Sequence, residues 1–213
     1  MTVLSEEERL ALETVRKFVD DEVRPVVREL EHANEYPEKL IEQMKELGLF
    51  GTAIPAEYGG TPVSTACYVL VTQQLARGWM SLAGAIGGHS VVAKLIGTFG
   101  TQEQRQRLLP KMATGEIRAA MALTEPGGGS DLQAIRTVAR RDGASYIING
   151  SKTWITNARR SGLIALLCKT DPAARPTPRA RDATWIRPNS RPFIICAKPC
   201  PSALPSRLCT GVR

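Results

Sequence analysis

The residues best suited to chemistry lie in Met121-Ala-Leu-Thr-Glu-Pro-Gly-Gly-Gly-Ser-Asp131. Three consecutive glycines after a proline let a backbone come close to a ligand. Successive N–H groups turned inward would form an anion nest suited to a pyrophosphate. Ser130 adds a hydroxyl donor, and Thr124, at the end of an expected strand, could hydrogen-bond a flat heterocycle laid across a sheet edge. The same run also reads as an ordinary glycine turn, and the residues alone leave both open. It is neither a Walker A motif, lacking Gly-Lys-Ser/Thr, nor a GxGxxG entering a helix. A nucleoside-triphosphate or Rossmann dinucleotide site is thereby excluded.

A second run, Tyr146-Ile-Ile-Asn-Gly-Ser-Lys-Thr-Trp-Ile-Thr-Asn157, pairs a large aromatic surface with a hydroxyl. On a strand over 152–156, Trp154 and Thr156 would share one face, two residues apart. That combination suits stacking against and hydrogen-bonding an isoalloxazine ring. The competing role, a core tryptophan beside a threonine at the sheet rim, is the commoner use of a buried aromatic.

The elements that must position these runs follow from periodicity. Ser5 and Glu8 make a capping box, and Leu12, Val15, Val19, Val23, Val26 and Leu30 form one apolar stripe that Pro25 should kink or split. A second helix is expected from Pro37 to Gly48, then a loop over Ile54–Gly60 and helices over 63–77, 81–98 and 101–113. After Gly115 the period becomes that of strands: 118–123, 137–141, 145–149, 152–156 and 163–169. Asp142-Gly143 and Asn149-Gly150 are read as hairpin turns. The expected fold class is α+β: an all-α N-terminal helical domain over 1–116, then a partial antiparallel β-barrel over 117–170 in a meander. A Pro/Arg-rich tail over 171–213 is expected to stay disordered. Within that tail Phe193–Ala197 alone resembles a strand, and it has no evident pairing partner.

Composition narrows the function classes. The formal charge is +7, but the first 170 residues hold 20 basic and 19 acidic groups, so the excess lies in the tail. A nucleic-acid partner is therefore not expected, and no recognisable module supports one. Cys67, Cys168, Cys196, Cys200 and Cys209 are irregularly spaced, without a CxxC pair or nearby histidines, and read as reduced thiols of a cytoplasmic chain with no metal. No signal peptide or membrane span is expected. The longest apolar run, Leu163–Cys168, is short, and the softer stretch 81–97 contains His89 and Lys94.

Four ordered motifs together resemble the acyl-CoA dehydrogenase family. Ala122-Leu-Thr-Glu-Pro-Gly-Gly-Gly-Ser-Asp-Leu-Gln-Ala134 satisfies the family's first signature, and Asn149-Gly-Ser-Lys-Thr-Trp-Ile-Thr-Asn157 matches the strand after it. Ile54-Pro-Ala-Glu-Tyr-Gly-Gly60 resembles a family loop. Gly100–Arg105 with Leu109–Glu116 resembles its last N-terminal helix, and the likeness covers roughly residues 1–173. It implies FAD as cofactor and oxidation of an acyl-CoA thioester to the trans-2-enoyl-CoA. Met121, Ala122, Leu123, Thr124, Gly129, Ser130, Trp154, Ile155 and Thr156 would bind the flavin. By the same resemblance Thr124 bonds its pyrimidine side, the Thr156 hydroxyl lies near N5, and Ser130 sits between pyrophosphate and substrate. Electron-transfer flavoprotein would be the acceptor, and the family is homo-oligomeric.

The resemblance also implies a third part, a C-terminal four-helix bundle carrying the catalytic glutamate, which this sequence does not match. No catalytic residue is therefore expected within it. Glu57 and Glu125 do not stand where the family has its base, and Glu125 is expected to orient the loop instead. His32 and His89 have helical context. The alternative to a dehydrogenase is a non-catalytic FAD-binding stub or interaction module. The jump in Pro, Arg and Cys after Ala174 leads us to expect that the tail is read from a shifted frame or an aberrant gene end.

Overall fold

The structure, a computed structural model, describes residues 4–142, 145–169 and 193–197, with backbone alone at 141, 142, 145 and 193–197. The chain is α+β and divides into two compact units, Met1–Glu116 and Ile117–Arg213.

The first unit is helical: α1 (Glu6–Phe18), α2 (Val27–Ala33), α3 (Glu38–Glu46), α4 (Thr65–Gly78), α5 (Met80–Phe99) and α6 (Gln102–Ala113). The capping box at Ser5 forms, with Glu8 N–H donating to Ser5 Oγ at 3.1 Å and Ser5 N–H to Glu8 Oε2 at 3.2 Å. Glu8 does more than cap its own helix. Its other oxygen accepts the N–H of Ser64, the N-cap of α4, at 2.7 Å, joining the starts of two helices. The hydrogen bonds from Ser64 and Ser5 hold its carboxyl below the usual range.

Pro25 splits the long apolar stripe, as its missing N–H demands. Ahead of it the helix widens into a π turn over Val19–Val23, where Arg24 N–H reaches back five residues to Val19 O at 3.0 Å. This turn packs against α4 at Gly78, where an added Cβ would lie 2.7 Å from Val19 Cγ1. Gly48 ends the second helical stretch at φ 69. Val15, Val19, Ile41, Met44, Phe50, Leu75 and Ile86 form the buried core, and the Phe50 ring meets His89 edge-on at 5.2 Å. Helix α5 is long and apolar enough to cross a bilayer by length and composition, but half of that stretch is buried inside the protein. A core helix has this pattern.

The second unit departs from the expected antiparallel meander. β1 (Ala119–Ala122) pairs parallel with β4 (Leu163–Leu167), Ala119 opposite Leu163. β2 (Val138–Asp142) and β3 (Ser145–Asn149) form a separate antiparallel hairpin. The two sheets are joined where Ala139 N–H donates to Lys169 O and Lys169 N–H to Thr137 O, both at 2.8 Å. β5 (Phe193–Ala197) has a partner after all. It runs antiparallel to β4, with Ala165 opposite Ile195, and the order is β1-β4-β5. That pairing is non-local, which local pattern could not reveal. The rest of the tail, expected to be disordered, lies outside the described residues.

The strand expected over 152–156 does not form. Asn149-Gly150 is accordingly no hairpin turn: Gly150 sits at φ 154, and a Cβ there would run into Thr137. The glycine serves close approach of two backbone segments.

Candidate functional site

β1 delivers the Gly-rich loop. Met121, Leu123 and Leu132 pack against buried Ile135 and Leu167, while Ala122 is buried. Beyond Thr124 the chain turns back at once. Glu125 N–H donates to Gly128 O at 3.0 Å and Gly128 N–H to Glu125 O at 3.1 Å, closing a tight turn with Pro126 and Gly127 at its corners.

That turn corrects the expected anion nest. None of Gly127, Gly128 and Gly129 takes a positive φ, and the Gly128 N–H is spent inside the turn. The alternating handedness of a nest is absent. Gly129 has a packing reason to be glycine, since a Cβ there would lie 3.3 Å from Thr124 Cγ2. Gly127 and Gly128 have none: a Cβ on Gly127 meets nothing within 4 Å, and one on Gly128 meets only Asp131 O at 4.0 Å. What the loop offers is a bare backbone face open to a ligand, and Pro126 to Ser130 are all exposed along it.

Glu125 holds the loop from beneath. It is 8% exposed. Its Oε1 accepts Thr137 N–H at 2.9 Å, the Thr137 hydroxyl and Lys152 Nζ at 2.9 Å, while Oε2 accepts Arg136 N–H at 2.6 Å. Burial pushes the carboxyl up, but the Lys152, Thr137 and Arg136 hydrogen bonds outweigh it and bring it down to about 2. Lys152, whose side chain is 8% exposed, donates in addition to Leu123 O at 2.8 Å. Behind them lies Cys168, whose thiol burial pushes up to about 11 despite the charge of Lys152.

The two runs singled out in the sequence therefore meet. Residues 123–125 touch 152 and 153 directly, and Thr153 N–H donates to Thr124 O at 2.9 Å. Beyond that bond the backbone leaves any ladder. Trp154 takes φ 58 and Asn157 φ 62, both left-handed, before a short 3-10 turn over Ala158–Arg160. Strand alternation cannot put Trp154 and Thr156 on one face here. Trp154 is 88% exposed, so the core-packing role is excluded. A bulky residue at positive φ carries strain that usually marks a functional site. Thr156 is also exposed and Ile155 half-buried.

Lys152 and Thr137 were given no site role from sequence, and Gly150 was read only as part of a hairpin turn. Lys152 carried no local signal, because its role depends on a carboxylate 27 residues away. Among the described residues no group of three or more His, Cys, Asp or Glu could hold a metal ion.

Residues 5–116 match the acyl-CoA dehydrogenase N-terminal domain and residues 120–192 match the middle domain of the same family. The chain belongs to the acyl-CoA dehydrogenase family. The middle-domain match runs to residue 192, beyond position 173 where the likeness was expected to end. The chain is 39% identical over 170 residues to (2S)-methylsuccinyl-CoA dehydrogenase of Cereibacter sphaeroides, covering 79% of this chain and 31% of that protein. A solved acyl-CoA dehydrogenase of Geobacillus kaustophilus superposes with a TM-score of 0.74 at 40% identity, covering 81% and 46%. One from Bacillus anthracis, complexed with FAD, superposes at 0.71 with 36% identity, covering 78% and 29%. The chain thus spans less than half the length of each.

Proposed function

We propose that the chain binds FAD on the face formed by Thr124, the Gly127–Ser130 backbone and Trp154–Thr156, as part of an enzyme that oxidises acyl-CoA thioesters. The observation that carries this reading is the pairing of an open glycine backbone with an exposed, left-handed Trp154, joined through the Thr153–Thr124 hydrogen bond. The residues present fit a flavin. Gly127 and Gly128 leave room for a close-lying group, and the Trp154 indole offers a stacking surface. Thr124, Ser130 and Thr156 add hydroxyls, and Met121, Ala122, Leu123 and Ile155 support them from β1 and the turn. The FAD-complexed relative supports the choice of flavin. When bound, FAD supplies the capacity to accept a hydride from the thioester's β-carbon.

The chain's own residues hold, orient and shield, and none is assigned as the base. Glu125 is unsuited to take an α-proton, because a carboxyl held near 2 by four donors is a very weak base. The family resemblance places that base in a C-terminal helical part. Acyl-CoA as substrate, electron-transfer flavoprotein as acceptor and a homo-oligomeric state follow from the same resemblance. A cytoplasmic setting suits the two described cysteines, Cys67 and Cys168, which are free and buried. The second reading, a non-catalytic FAD-binding stub or interaction module, differs from the first in whether acyl-CoA reduces the bound flavin.

The test is direct. The purified chain, reconstituted with FAD and freed of excess, should keep a yellow flavin spectrum. Anaerobic acyl-CoA should leave that spectrum unbleached. A chain that retains no flavin sinks the flavin reading, while bleaching would show a complete enzyme and overturn the stub.

A further inference from the structure

We infer that the buried Glu125–Lys152 pair is a positioning latch, tying the Gly-rich loop to the turn that carries Trp154 and so setting the geometry of the proposed flavin site. This rests on the flavin reading above. Residues 151–155 belong to no strand, yet Trp154 keeps a costly left-handed conformation. Such a conformation persists only where its surroundings over-determine it. Two anchors stand immediately before it: Thr153 N–H on Thr124 O at 2.9 Å, and Lys152 Nζ on Leu123 O at 2.8 Å and Glu125 Oε1 at 2.9 Å. All reach the three residues that lead into the loop.

On its other side Glu125 grips the Arg136 and Thr137 N–H groups, and Gly150 packs against Thr137 without room for a Cβ. One carboxylate therefore gathers 136–137 and 152, and through them the start and end of the 150–153 segment. The two side chains are 8% exposed, so their attraction is little screened by water. A glutamine cannot replace Glu125. All four of its partners are donors, and an amide NH₂ would face at least one N–H. A buried ion pair is weak evidence for stability in itself. Its value here is geometric, since breaking it frees Trp154 from the loop.

The experiment compares the full chain with Lys152→Met, Lys152→Arg and Glu125→Gln. It reads amide exchange without flavin and FAD affinity by titration. We expect Lys152→Met and Glu125→Gln to speed exchange at Thr153 N–H by about tenfold or more. FAD affinity should fall by a similar factor of about ten. Ala139 N–H, which bonds Lys169 across the sheets, should keep its protection, and Lys152→Arg should restore part of the affinity. Native protection at Thr153 in both charge-removing variants overturns the latch. So does a uniform loss of protection across 117–169, which would mark a merely stabilising pair. If the native chain binds no FAD, the flavin reading fails, and the exchange measurements still decide the latch.

Discussion

A carboxylate that accepts four hydrogen bonds while 8% exposed must stay ionised for its partners to stay satisfied. With Glu125 lowered from 4.5 to about 2, its contribution to stability is fully present above the unfolded pKa. It is lost as pH falls through the folded value. The window is therefore roughly pH 4.5 to 2, and the linked stability is on the order of 3 kcal/mol. Acid titration of the melting temperature should show this slope, and Glu125→Gln should flatten it. A variant with the native acid profile would show that the group is not held ionised. Gly127 tests the other half of the site. Its φ is not positive and its missing Cβ faces open space. Gly127→Ala should change folding stability by no more than about 0.5 kcal/mol while weakening FAD binding measurably. Equal affinity would mean that nothing approaches the loop closely.

At the scale of elements, α1 and α4 are organised around a defect. The π turn over Val19–Val23, forced ahead of Pro25, brings Val19 against Gly78. Gly78→Ala should cost about 1–3 kcal/mol by overpacking that crossing, read as a lower denaturation midpoint with unchanged denaturant dependence. An unaffected midpoint would mean that the turn yields freely. The Ser5 cap, the break at Pro25 and the stop at Gly48 were legible from sequence, because caps and breakers act through neighbouring residues. The strands were less so. The 152–156 run has the composition of a strand, yet Lys152 is claimed by Glu125 and Thr153 by Thr124. Those two bonds take the segment out of any ladder. Local β-propensity describes a half-buried pleated surface, and here Trp154 has none to lie on.

For the whole molecule, the proposed flavin should act as a stabilising ligand. FAD at a hundredfold its dissociation constant should add about 2.7 kcal/mol, seen as a rise in melting temperature that grows with FAD concentration. A melting curve insensitive to FAD at concentrations where the flavin spectrum is retained would contradict specific binding to the folded state.

The amino-acid order alone determined the helices, the switch from a helical to a strand period after Gly115, and the two runs that carry the family's motifs. Each depends on interactions between residues close in the chain. It could not determine how the glycines work, where Trp154 points, or which strands pair. The Gly128 N–H is consumed by Glu125, Trp154 turns out at φ 58, and β1 lies parallel to β4, more than 40 residues on. The burial of Glu125 beside Lys152 likewise depends on residues distant in sequence. Contacts of that kind exist only once the chain has closed on itself, so only the tertiary structure decided them.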